Sequence, residues 1–128
     1  MSWNRTPVAG ALVAMLGPAA GGVKVHERPP ETVNPMCVVI DRPQTVLFST
    51  VAPGIDEATL PVILVGGVET EDALEAIKTA CKTAVLADPT LKGTVQAAWP
   101  AEERNWRNMT GAGGIQLLTV ELILTIQM

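Results

Sequence analysis

The stretch from Ile115 to Met128 constrains the fold more than any other part of the chain. Ile115 and Leu117 share one side; after a one-residue shift near Leu118, Val120, Leu122, Leu124, Ile126 and Met128 continue the apolar side. Thr119, Glu121, Thr125 and Gln127 fall opposite. Alternation with period two over that length spells a long, half-buried strand, and the shift predicts a bulge or bend within it. One apolar face needs a covering layer, and two strand edges need partners. The rest of the chain must therefore supply a sheet and something to lie on it.

The upstream elements match that demand. Thr6 followed by Pro7 predicts a helix start, a hydroxyl cap before a residue whose missing N–H costs nothing in the first turn. Val8, Leu12, Met15 and Leu16 recur at helical spacing, and Gly17-Pro18 should stop the helix. Its other face (Ala9, Gly10, Val13, Ala14) is small and apolar, so a second layer or a neighbouring subunit should cover it. Val23 to Arg28 reads as a short strand closed by Pro29-Pro30. Met36 to Ile40 reads as a central strand, Thr45 to Val51 as another before a Pro53-Gly54 turn, and Leu60 to Val65 as a third.

The clearest helix follows. Thr70 stands at its cap, Glu71 and Asp72 in its first turn, and Lys78 and Lys82 towards its end, a charge order that suits the helix dipole. Ala73, Leu74, Ile77, Cys81, Ala84 and Val85 form its apolar face, and Asp88-Pro89 ends it. Thr94 to Trp99 is a further strand, and Pro100 to Gly114 a polar, glycine-rich connection. The expected fold class is α+β: a mostly antiparallel sheet with two main helices packed against it.

With 128 residues and 13.5 kDa the chain has room for one domain, residues 1–128, and one core. Hydrophobic residues make up 48% and charged residues 17%. So little charge on so small a domain points to apolar surface covered by neighbouring copies. The net charge is −4, and the nine basic residues are scattered singly, which is no footprint for a phosphate backbone. Arg5, the apolar run to Leu16 and the small residues after it imitate a secretory leader, but Gly10, Gly17, Pro18, Gly21 and Gly22 interrupt the run. The preferred reading is a retained helix and no membrane span.

Catalytic and metal-binding patterns are not found. His26 is the only histidine and Ser2 and Ser49 the only serines, and none has a second feature beside it, so a histidine-based triad is not expected. Cys37 and Cys81 sit in apolar stretches and read as buried thiols in a reducing compartment, with no zinc spacing. Gly66-Gly67 and Gly111, Gly113 and Gly114 read as turns, because neither group combines Lys-Ser/Thr with a following helix. Glu102 and Glu103 should point apart in an extended segment and remain solvated. No catalytic, metal or cofactor-binding residue is assigned, and no cofactor.

One segment stands out. Trp99, Arg104, Trp106 and Arg107 put two of the three tryptophans among polar residues. Tryptophan and arginine anchor interfaces. Two readings stand: a contact with a neighbouring subunit or partner, or indoles that tuck back over the domain's own core.

The stretch Ala87-Asp88-Pro89-Thr90-Leu91-Lys92-Gly93-Thr94-Val95 resembles the corresponding part of tail terminator proteins of long-tailed (siphovirus-type) bacteriophages, in particular those of actinobacteria. So does Pro29-Pro30 followed by Val33 and Pro35-Met36-Cys37-Val38-Val39, and the order of elements is similar over nearly the whole chain. Lys92 stands where a second glycine is common, so this turn must form without it. The resemblance implies a structural virion protein, not an enzyme: a ring, typically a homohexamer, that caps the tail tube, ends its polymerisation and joins tail to head. The implied partners are further copies of itself, the tail tube protein and a head-completion or connector protein. DNA would pass through without specific binding. The implied location is the head-proximal end of the virion tail, after assembly in the host cytoplasm. The alternatives are another head–tail connector or minor tail subunit, or else a small ligand-binding or enzymatic α+β domain.

Overall fold

The computed structural model describes residues 3–49 and 55–128. Among them two helices, α1 (Arg5–Ala19) and α2 (Glu71–Ala87), pack on a six-stranded sheet. The strands are β1 (Lys24–His26), β2 (Cys37–Ile40), β3 (Thr45–Leu47), β4 (Glu57–Gly67), β5 (Ala97–Thr110) and β6 (Gln116–Gln127). Their order is β1-β2-β4-β6-β5, with β3 pairing to β4 beyond the end of β2. Only β1 and β2 run parallel; the remaining pairs are antiparallel. This is the α+β layering that the sequence pattern demands. The Pro53-Gly54 turn lies outside the described residues.

The main core lies between helices and sheet. Val8, Leu12 and Leu16 of α1 and Leu74, Cys81 and Val85 of α2 meet Val38, Ile40, Leu60, Val62, Leu64, Val120, Leu122, Leu124 and Ile126. A smaller cluster, Cys37, Val39, Val65 and Leu117 with Val33 and Ile63, lies on the reverse face. β2 is thus buried on both sides, as its unbroken apolar run requires.

Several sequence expectations are corrected. β6 has no shift: it pairs with β4 residue for residue from Leu117 to Gln127. Leu117 is apolar because it serves the reverse-face cluster, while Leu118 to Met128 alternate without a break. The irregularity lies in β5 instead. Between Pro100↔Leu124 and Glu102↔Ile123, β5 advances two residues to one on β6. Between Arg104↔Glu121 and Arg107↔Thr119 it advances three to two. These are two bulges, and at the second Asn105 takes φ +61°. The expected polar connection from Pro100 is therefore strand up to Thr110, followed by a tight turn in which Gly113 and Gly114 have positive φ.

α1 begins at Arg5, capped by Asn4, whose side chain accepts from the Thr6 N–H at 3.3 Å; Thr6 itself is helical. The helix runs through Pro18 to Ala19, since a proline in the last turn forfeits only one internal bond. Thr70 stands at the α2 cap position, but its hydroxyl donates to the Gly67 carbonyl at 2.6 Å and caps nothing. Ala73 is exposed, and Lys78 takes the buried place on that helix.

Pro61 sits inside the central strand β4, where proline is normally excluded. Asp41 N–H donates to the Pro61 carbonyl at 3.1 Å, so the missing Pro61 N–H faces the same edge. That edge is where β2 gives way to β3: from Ile40↔Val62 to Thr45↔Thr59 the outer chain advances five residues and β4 three. The Asp41 carbonyl, which Pro61 cannot serve, accepts from Arg5 Nη2 at 3.3 Å. The same nitrogen reaches the carbonyls of Ile40 at 2.8 Å and Glu27 at 2.6 Å. Arg5 thus closes the end of the β1–β2 ladder and ties α1 to it.

Candidate assembly surface

Among the described residues β5 pairs on one side only, with β6, and its bulges decide which way its side chains face. Ala98 pairs with Ile126, and both lie in the main core, so Trp99 points to the reverse face. Arg104 pairs with Glu121 and Arg107 with Thr119, which places both arginines on the reverse face too. The second bulge turns Trp106 back towards the helices, where it packs against the main core. The sequence segment is therefore divided: Trp99, Arg104 and Arg107 on the outer side, Trp106 on the helix side. Trp99 is 38% exposed.

On the outer side Arg104 bridges to Gln44 at the β2–β3 junction and to Glu102 at 3.0 Å. Glu121 is nearly buried; Asn105 donates to it, and Arg107 lies 4.0 Å away. Beside them runs a mostly apolar groove of about 310 Å³, floored by Val39, Ile63, Val65 and Leu117 and walled by Pro29 and Met109. The bulges bend β5 and so help to make this surface.

On the helix side Lys78 is only 6% exposed, and its ammonium is shared by Glu75 and Glu103. It also lies 5.7 Å from the centre of the Trp106 ring, within cation–π range. Trp106 Nε1–H donates to Glu103 at 2.5 Å. Burial alone would lower the Lys78 pKa, but its hydrogen bonds to Glu103 and Glu75 outweigh that and raise it. The Lys78 bond, and then the Trp106 bond, hold Glu103 below the usual carboxylate range. Glu102 and Glu103 point apart as expected, but Glu103 is an anchor between β5 and α2 and not a solvated loop residue. The clue was available: Lys78 falls in the apolar stripe, four residues after Leu74 and three before Cys81.

The basic residues are less scattered in space than along the chain. Arg5, Arg28 and Arg42 line one cleft of about 360 Å³ with Thr6 and Pro29. Burial, then the neighbouring Arg28 charge, lowers the Arg5 pKa. No spacing in sequence announces this cluster, because its members come from α1, the end of β1 and the β2–β3 junction.

Chemistry of other kinds has little to work with. His26 is half-buried on β1. Both cysteines are free, and they sit in different clusters on opposite faces of the sheet. Burial raises the Cys37 pKa and pushes the Cys81 thiol up to about 11, so neither is a ready nucleophile. Among the described residues no three metal-binding side chains gather, and no helix is long and apolar enough to cross a membrane. Gly66 and Gly67 are the last residues of β4 and not the expected turn, and a Cβ on Gly66 would collide with the Thr70 hydroxyl and the Met36 sulfur, so this glycine serves close packing.

No protein-family model matches the chain, and no curated protein sequence matches it. Among solved structures, the fold is similar to that of a chain in the structure described as "Virion of native gene transfer agent (GTA) particle". The TM-score is 0.62 over 94% of this chain and 96% of that one, at 12% sequence identity. At that identity the likeness is one of fold, and it spans both chains almost end to end.

Proposed function

We propose that this chain is a structural virion subunit, a tail terminator: a homohexameric ring that caps the tail tube, stops its growth and joins it to the head. The observation that carries the proposal is the near-complete fold likeness to a chain of a phage-like particle. The sequence resemblance to tail terminators points the same way independently. The surface supports assembly: Leu47, Phe48, Leu86, Trp99 and Ile115 are large, apolar and exposed. The exposed Gly10 and Ala14 stripe of α1 has room for a neighbour. In this reading the β5 surface carrying Trp99, Arg104 and Arg107 meets a neighbouring subunit or partner, and Trp106 braces it from behind.

The need for such a protein follows from the tube. Stacked identical rings present the same end after each addition, so nothing in their own contacts stops growth. A different ring must bind the last tube layer on one side and a head-completion protein on the other. A net charge of −4 suits a duct through which DNA passes without being held. The test is deletion of the gene from an otherwise intact phage. Electron micrographs should show DNA-filled heads beside unattached tails, many of them overlong. Normal tails joined to heads would refute the role, and loss of all tails would indicate a tube or initiator protein instead.

A further inference from the structure

The cleft of Arg5, Arg28 and Arg42 gathers three of the nine basic residues of an acidic chain. Its arginines are not equivalent. Arg5 spends its Nη2 on three backbone carbonyls, so it lends charge but little grip. Arg28 and Arg42 are exposed, and neither pairs with a carboxylate among the described residues. Glu27 and Asp41 lie close enough to offset part of the charge, which leaves the cleft with a net excess of one positive charge. Two exposed arginines without ion-pair partners among the described residues can each grip a carboxylate on a protein surface through the guanidinium fork.

The chain carries a complementary surface. Glu69, Glu71 and Asp72 are exposed at the turn into α2 and lack ion-pair partners among the described residues. The two patches cannot meet within one protomer. The basic cleft adjoins Asp41, which faces Pro61, whereas the acidic corner lies past Gly67, at least six residues or about 20 Å further along β4. The two helix N-termini point to opposite ends of the sheet, and the two charges go with them. Complementary patches at different places on identical subunits make a head-to-tail contact, which closes into a ring when the rotation allows.

We infer that the Arg28–Arg42 cleft of one subunit receives the Glu69–Glu71–Asp72 corner of the next copy, and that this contact sets the direction of the ring. The inference rests on the ring reading above and assigns it a contact. The test is a charge swap in the purified full-length protein, read by light scattering at low and high salt. R28E/R42E and E71K/D72K should each reduce self-association at least ten-fold. Mixing the two variants, or combining all four changes in one chain, should restore it. Both the wild-type and the restored association should weaken with salt, because exposed ion pairs are screened. Arg42→Cys protein mixed with Asp72→Cys protein should yield a disulfide-linked heterodimer on oxidation, which traps the contact even where free rings are sparse.

Single variants that still assemble like wild type, with no cross-link formed, would overturn this contact and leave the ring intact. Monomers under all conditions, with no cross-link, would remove ring and contact together. Intact assembly with loss of inorganic phosphate or duplex DNA binding in R28E/R42E would show that the cleft serves an anion and not a second copy.

Discussion

Replacing Trp106 with alanine separates the two roles that its sequence context allows. The indole is half-buried against the main core, lies under the Lys78 ammonium at 5.7 Å, and donates to Glu103 at 2.5 Å. Full truncation of a buried tryptophan costs about 3–5 kcal/mol. Half-burial brings that to roughly 2 kcal/mol. Loss of the cation–π contact adds about 0.5–1 kcal/mol. The bond to Glu103 adds little, because that carboxylate is 38% exposed and can turn to water. The expected loss is about 2–3 kcal/mol. With a urea slope of about 1.5 kcal/mol/M, the midpoint should fall by about 1.5 M. The measurement is a urea titration of dilute, unassembled protein followed by far-UV circular dichroism. Trp99→Ala is the control: on the outer face it should lower stability by less than about 1 kcal/mol. A Trp106→Ala midpoint within about 0.3 M of wild type would refute the core assignment. The indole would then belong to an interface.

Two further outcomes follow from single groups. Glu103 has a folded pKa below its unfolded value of about 4.3, so its contribution is complete above that pH and lost as pH falls through the folded value. Glu103→Gln should therefore flatten the decline of the urea midpoint between about pH 5 and 3, and an unchanged acid limb would contradict the Lys78 pairing. Lys92 holds φ +58°, beside Leu91 at +47° and Gly93 at +78°, in the turn that follows α2. Lys92→Gly should raise stability by up to about 1 kcal/mol, because the backbone N–H bond to Asp88 at 2.9 Å survives the change. A lower melting temperature would show that the lysine side chain contributes something the turn geometry does not reveal.

Composition and periodicity determined the layers by themselves. β6 had to be a strand with one core face, α2 an amphipathic helix, and β2 a strand covered on both faces, because each pattern has only one way to hide its apolar side. The burial of Thr119, Glu121 and Ile123 on the other face of β6 was not legible in the alternation. A triad and a zinc site were improbable from the same sequence, which has one histidine, two serines and two cysteines 44 residues apart. Bulges were another matter. They arise when two strands of unequal length share a ladder, and neither strand's sequence records the other. A polar, tryptophan-containing segment thus became edge strand β5, and the irregularity expected in β6 moved to its partner. Pro61 is tolerated in a central strand only because the outer strand breaks beside it and Arg5, 56 residues earlier, serves the carbonyl that it leaves free. Arg5, Arg28 and Arg42 form a cleft because α1, β1 and the β2–β3 junction end together in space. Local propensity acts over a few residues, whereas a surface that can recognise another subunit is assembled from segments that only tertiary packing brings side by side.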